Sequence, residues 1–160
     1  MPIKSLTGCY QMFSLRRGRP DDLPTIYRLE RLYIETMEPL QLQKWLSALE
    51  RHLQQWVEDL PRTITVEQLD QPLGYLFWER EDDTAILASV NVDPGYRRRG
   101  IATTLLVRFE HEAAAAGCLD LELSCLPQNP ARRLYESLGY IYDREETPYV
   151  VLRKKVLAPK

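Results

Sequence analysis

The run Val90-Asn91-Val92-Asp93-Pro94-Gly95-Tyr96-Arg97-Arg98-Arg99-Gly100-Ile101-Ala102-Thr103 sets an apolar strand, a turn, three arginines and a glycine in front of a helix. The first four N–H groups of a helix have no partner within it, and the aligned peptide dipoles place roughly half a positive charge at that end. An anion is therefore stabilised there. Gly100 lets a phosphate approach the backbone with no Cβ in the way, and Ala102 obstructs little more. Arg97, Arg98 and Arg99 add formal charge at the mouth. The chemistry this order suits is the holding of a pyrophosphate. On spacing alone it is equally an ordinary turn before an amphipathic helix, with a solvated basic run. Two other phosphate motifs, GxxxxGK[ST] and GxGxxG, are absent.

Several elements must position that run. Residues 11–17 read as a strand closed by Gly18 and Pro20. Pro20, Asp21 and Asp22 open a helix, with carboxylates where the dipole favours them, and Leu23, Ile26, Leu29 and Tyr33 form its apolar stripe. A second helix starts at Pro39, carries Leu42, Leu46, Leu49, Leu53 and Trp56 at spacings of three and four beside Trp45, and stops at Pro61. Strands follow at 63–66, 73–78 and 85–92, with turns between them. The helix after Gly100 shows Ile101, Leu105, Phe109 and Ala113 on one face, with Gly117 as its C-terminal cap. The strand at 119–125 has Leu119, Leu121, Leu123 and Cys125 on its apolar face and Asp120, Glu122 and Ser124 on the other. A helix at 130–138 ends at Gly139, and strands at 140–142 and 149–154 complete the chain. This order by itself says only α/β.

Two blocks carry a resemblance. Arg97-x-x-Gly100-x-Ala102 after Val90-Asn91-Val92 resembles the R/Q-x-x-G-x-G/A motif of the GNAT superfamily of N-acetyltransferases, and the block from Asn129 through Ala131, Leu134, Tyr135, Glu136, Leu138 and Gly139 to Tyr140 is similar to that family's N-x-x-A-x-x-L-Y-E-x-L-G-F motif. Together they cover residues 84–142. The resemblance implies the GNAT fold: a mixed central sheet of about seven strands, splayed between the fourth and fifth, with about four helices, in a single domain over residues 1–160 whose core is about 11–156. It implies acetyl-CoA as cosubstrate, with no metal, and transfer of the acetyl group to a primary amine by direct attack in a ternary complex. The cofactor-binding residues it points to are Val90, Asn91, Val92, Arg97, Arg98, Arg99, Gly100, Ile101, Ala102, Thr103 and Asn129. The strand Val90-Asn91-Val92 supplies backbone groups to the pantetheine amides, in the manner of strand addition. Asn129 stands one residue nearer Tyr135 than the family spacing, so either the helix entry tightens or Gln128 takes over its part.

The catalytic residue the resemblance points to is Tyr135, as the acid that protonates the departing thiolate. A phenol near pKa ~10 can donate to a developing thiolate at neutral pH. The base is not fixed: Glu122 through water, Glu79 and a water relay all remain, and the position of the glutamate base of some relatives holds Ser124. His52 and His111 read as surface residues. The first two helices and the loop at 143–148 line the acceptor side in the family, and Glu30, Glu35 and Glu38 make that region acidic, which suits a cationic amine. Two readings from other classes stay open: a catalytically inactive acyl-CoA-binding or sensing module, which Tyr135 argues against, and a nucleic-acid-associated protein using the arginine triplet.

Composition bounds these readings. A chain of 160 residues with 44% hydrophobic and 28% charged residues is expected to fold as one domain without metals or disulfides. A net charge of −2 argues against a nucleic-acid partner. Cys9, Cys118 and Cys125 fit no zinc spacing and suggest free thiols in a reducing compartment. With no apolar leader and no apolar run of about 18 residues, the expectation is a cytoplasmic protein with no membrane partner, monomer or homodimer.

Overall fold

The computed structural model describes residues 3–4, 10–11 and 13–157. Its strands and helices run β1 (Ile3–Lys4), β2 (Tyr10–Gln11), β3 (Ser14–Arg17), α1 (Leu23–Met37), α2 (Leu42–Ser47), α3 (Leu49–Glu58), β4 (Thr63–Gln68), β5 (Gln71–Glu81), β6 (Thr84–Val92), α4 (Ile101–Ala115), β7 (Asp120–Cys125), α5 (Arg132–Ser137), β8 (Ile141–Glu146) and β9 (Tyr149–Lys155). Strands β1 and β2 form a two-stranded ribbon; the others make a seven-stranded sheet in the order β3-β4-β5-β6-β7-β9-β8. The sheet is mixed, because β6 and β7 pair in parallel whereas β3–β4, β4–β5, β7–β9 and β8–β9 are antiparallel. The parallel ladder holds only Thr84–Asp120, Ala85–Leu121 and Ile86–Glu122, although β6 runs to Val92 and β7 to Cys125. These are the fourth and fifth strands of the sequence reading.

The chain forms two compact units, residues 1–77 with 89–105 and residues 78–88 with 106–160. In the first, Ile26 and Leu29 of α1, Trp45 of α2 and Trp56 of α3 share one core cluster with Tyr75 and Phe77 of β5. In the second, Trp78, Leu106, Phe109, Leu121, Leu123 and Leu152 are buried. Each such side chain contributes about 1.5–3 kcal/mol when fully buried.

Local chemistry departs from the sequence expectation at several points. The helix expected from Pro39 is a 3-10 turn, Pro39–Gln41, followed by two helices, because Ala48 leaves helical geometry at φ −102° and ψ 12°. Leu53 is consequently exposed. Leu119, expected on the apolar face of β7, precedes the strand and is 60% exposed. The segment 143–148, expected as a loop, is strand as far as Glu146, with a turn only at 147–148. Cys118 and Cys125 are buried and unpaired, and Cys9 and Met12 lie outside the described residues.

Asp22 differs most in role. Expected to meet the dipole of α1, it is 1% exposed and accepts hydrogen bonds from the Arg16 guanidinium at 2.7 and 2.9 Å, the Arg19 N–H at 2.8 Å and the Thr65 hydroxyl at 2.9 Å. Burial alone would raise its pKa, but these hydrogen bonds and the Arg16 charge hold it below the ordinary carboxylate value. A carboxylate with a depressed folded-state pKa stabilises the protein fully above its unfolded value of ~3.9, and that contribution is lost as pH falls through the folded value. Asp22→Asn strands Arg16 with half its partners, so unfolding in urea at neutral pH is expected to show a loss of about 3 kcal/mol that shrinks under acid.

Candidate functional site

The strand–turn–helix run lies in the first unit. Asp93 shapes the turn, accepting from the Gly95 N–H at 3.0 Å through its side chain and from the Tyr96 N–H at 2.8 Å through its carbonyl. Arg28 of α1 reaches the same carboxylate at 3.1 Å. Arg97 folds back to the carbonyl of Val92 at 3.2 Å, and Arg99 lies 5.2 Å above the ring of Tyr96. All three arginines are exposed. Arg98 has φ +61°, a left-handed conformation that costs a non-glycine residue roughly 1–2 kcal/mol. Strain of this kind gathers at functional loops. Gly100 has φ +77°, and a Cβ built there would meet nothing within 4 Å. Its backbone is thus open to an approaching group, and the conformation itself calls for glycine. From Gly100 the helix begins, its carbonyl accepting from the Thr104 N–H at 3.0 Å and the Thr104 hydroxyl at 2.9 Å. The N–H groups of Ile101, Ala102 and Thr103 are among the four that a helix leaves unpartnered. The residues present suit a phosphate.

Val90, Asn91 and Val92 are held against β5 by a contact the sequence reading did not single out. A Cβ on Gly74 would stand 2.7 Å from the Asn91 carbonyl oxygen and 3.2 Å from the Val92 Cα. Since real Cβ atoms do not come that close to backbone, Gly74→Ala must displace this part of β6. The expected result is a loss of about 1–3 kcal/mol in thermal unfolding, the range for overpacking, together with altered amide shifts at Asn91 and Val92.

A second missed feature is the polar cluster beneath the same strand. The side-chain amide of Asn91 donates to the Tyr75 hydroxyl at 2.9 Å and the Ser89 hydroxyl at 3.3 Å. Both hydroxyls donate to Oε1 of Glu30, Tyr75 at 2.9 Å. Glu30 is half-buried. Burial pushes its carboxyl above the ordinary value, with the two hydroxyls pulling the other way. Burial also pushes the Tyr75 phenol well up, so it stays protonated. The signal was present in the sequence: Glu30 is four residues after the buried Ile26, hence on the core face of α1.

Tyr135 and Asn129 belong to the second unit. Tyr135 is on α5, 7% exposed, with its ring edge-on to Tyr140 at 6.4 Å. Burial, with a smaller effect of Cys125, pushes its phenol upward, so it is protonated at neutral pH. Its hydroxyl makes no hydrogen bond among the described residues. The Asn129 side-chain oxygen accepts from the Ala131 N–H at 2.9 Å, just before α5. Glu122 is ion-paired to Arg144 at 2.8 Å and Arg153 at 3.6 Å, which occupies both its oxygens. Glu79 is half-buried in β5, and Ser124 and His111 are exposed. His52 is not a plain surface residue: it stacks on Trp45 at 5.4 Å and Trp56 at 6.2 Å, and burial, with the nearby Arg51 charge, lowers its pKa. Among the described residues no group of three or more His, Cys, Asp or Glu could hold a metal ion, and no helix is long and apolar enough to cross a membrane.

Comparison with known proteins gives these features a context. The profile described as Acetyltransferase (GNAT) family matches residues 26–140, which includes both sequence blocks. No curated protein matches the chain. Among solved structures, the PaiA N-acetyltransferase of Thermoplasma acidophilum in complex with coenzyme A superposes with a TM-score of 0.79 at 17% identity, over 90% of this chain and 99% of that one. The ribosomal-protein-S18-alanine N-acetyltransferase of Escherichia coli does so with a TM-score of 0.70 at 20% identity, over 93% and 97%. The ribosomal-protein-alanine N-acetyltransferase of Brucella melitensis gives 0.73 at 21% identity, over 89% and 99%. At these identities the likeness is one of fold.

Proposed function

Because this chain belongs to the acetyltransferase (GNAT) family, we propose that it is an N-acetyltransferase that moves an acetyl group from acetyl-CoA to a primary amine by direct attack in a ternary complex. The observation that carries the reading is the loop from Arg97 to Gly100 at the start of α4, where positive φ at Arg98 and Gly100 leaves an open backbone before a helix N-terminus. Gly100 and the N–H groups of Ile101, Ala102 and Thr103 hold the pyrophosphate, with Arg97, Arg98 and Arg99 adding charge. Backbone groups of Val90, Asn91 and Val92 take the pantetheine arm, and Asn129 anchors it. Acetyl-CoA supplies an activated thioester. Tyr135, kept protonated by burial, gives its proton to the departing sulfur. The chain acts as a single domain, as monomer or homodimer, in the cytoplasm, without a metal. Coenzyme A bound to the Thermoplasma structure supports the cofactor, and the two alanine N-acetyltransferases support an amine acceptor.

The test mixes protein and acetyl-CoA with 1,4-diaminobutane, an N-terminally blocked lysine peptide or an alanine-initiated peptide, and follows free thiol with a dye. Amine-dependent release of coenzyme A is expected. Tight acetyl-CoA binding with no release for any of the three would favour an acyl-CoA-sensing module instead.

A further inference from the structure

Glu30 accepts from two hydroxyls through a single carboxylate oxygen. The two amide protons of Asn91 go one each to Tyr75 and Ser89, and an N–H donor leaves each hydroxyl its own proton to give away. Both give it to the same oxygen, Oε1 of Glu30. The ring of contacts is therefore directed: it starts at a neutral amide and ends at one carboxylate oxygen. Oε2 receives no hydrogen bond among the described residues. Among the described residues no cation pairs with the carboxylate either: the arginines of its own helix are engaged elsewhere, Arg28 with Asp93 at 3.1 Å and Arg31 with Glu35 at 2.7 Å and the Tyr27 hydroxyl at 2.8 Å. From β5 the carboxylate meets Tyr75 and from β6 Ser89, with Asn91 behind both; the packed α2 and α3 carry Lys44, Glu50, Arg51, His52 and Glu58, none of which pairs with it among the described residues, and His52 lies against Trp45 and Trp56. A half-buried carboxylate without a cationic partner is costly to keep ionised. Two fixed hydroxyl donors reduce that cost while leaving Oε2 able to accept.

We infer that Glu30 is the residue that receives the proton of the acceptor ammonium, at Oε2, and that Tyr75, Ser89 and Asn91 are its positioning residues. The inference rests on the transferase reading above and names the acceptor class: an amine that arrives as a cation. Its placement follows from the backbone, because Ser89 and Asn91 share the strand segment assigned to the pantetheine arm. The ammonium loses one proton to Oε2, and the freed nitrogen pair forms the C–N bond to the thioester carbonyl carbon. The C–S bond breaks with its electron pair on sulfur, which takes a proton from Tyr135. The nitrogen sheds its second surplus proton, which restores Tyr135, and Glu30 releases its own to solvent. One proton leaves per turnover, as the conversion of an ammonium to an amide requires.

Glu30→Gln keeps shape and removes the acceptor. Using whichever of the three probe amines the wild-type protein acetylates, kcat/KM near neutral pH is expected to fall about 10²-fold, at the low end for acid–base groups, with acetyl-CoA affinity retained. The deficit should close as pH rises toward the amine's own pKa, ~10.4 for a lysine side chain or ~7.7–8.0 for a terminal amine, because free amine needs no acceptor. Ser89→Ala removes one donor to the charged form, so the acid limb of kcat/KM should move to higher pH. This second variant keeps the test decisive should Glu30→Gln fail to fold. Wild-type pH profiles in the folded variants would overturn the role of Glu30 and leave the transferase reading standing. Absence of transfer to all three amines by the wild-type protein would overturn the transferase reading, and this inference with it.

Discussion

Gly100→Glu is expected to abolish acetyl-CoA binding in calorimetry while the protein stays folded. The two halves of that result have separate causes. A glutamate at φ +77° is strained by roughly 1–2 kcal/mol, but the site is exposed and a Cβ there meets nothing within 4 Å, so no core contact is lost. A carboxylate at a helix N-terminus is itself favoured by the dipole by about 0.3–1 kcal/mol, which offsets part of the strain. The thermal midpoint should therefore move only a few degrees. For the ligand both effects act against binding: the side chain fills the space through which a phosphate reaches the backbone, and its charge repels the anion from the same N–H groups. A loss beyond 10³-fold, about 4 kcal/mol, is expected. Gly100→Ala separates the causes, adding the strain and one methyl without the charge, and should bind with an intermediate loss. A folded Gly100→Glu protein with unchanged affinity would remove the pyrophosphate from this loop.

That loop was legible in the sequence because its requirements are local. A residue without a Cβ, unpartnered N–H groups and basic charge all arise from residues within one turn of Gly100, whereas the positive φ of Arg98 had no signal there. The mixed seven-stranded sheet was legible only through the family resemblance that the two blocks carry. What escaped depends on neighbours distant in the chain. Gly74 reads as an unremarkable glycine until Asn91 is placed 2.7 Å from its absent Cβ. Glu30 reads as one acid among three until Tyr75 and Ser89 converge on it. Asp22 fits the rule for helix N-termini, and nothing near it in sequence marks its pairing with Arg16 and Thr65, which β3 and β4 supply. Helix periodicity also ran unbroken through Ala48, where the backbone turns, since the leucines before and after it keep the same spacing.

Tyr135→Phe is expected to lower kcat by 10²–10⁴ with little change in acetyl-CoA affinity. The substitution deletes one oxygen and keeps the ring, so the edge-on packing against Tyr140 persists. The hydroxyl makes no hydrogen bond among the described residues, so its removal orphans no partner and the usual 1–3 kcal/mol penalty for an unsatisfied group does not arise. A stability change would therefore be small and a loss of turnover chemical in origin. Burial raises the phenol's pKa, which keeps the donor loaded across the working range but makes it a weaker acid than a phenol in water. Loss of this group should accordingly leave the acid limb of the pH profile in place, because that limb belongs to the proton acceptor, and depress the plateau. The contrast with Glu30→Gln, whose deficit closes as the amine deprotonates, distinguishes donor from acceptor in a single assay. Full turnover by Tyr135→Phe would assign the proton on sulfur to water.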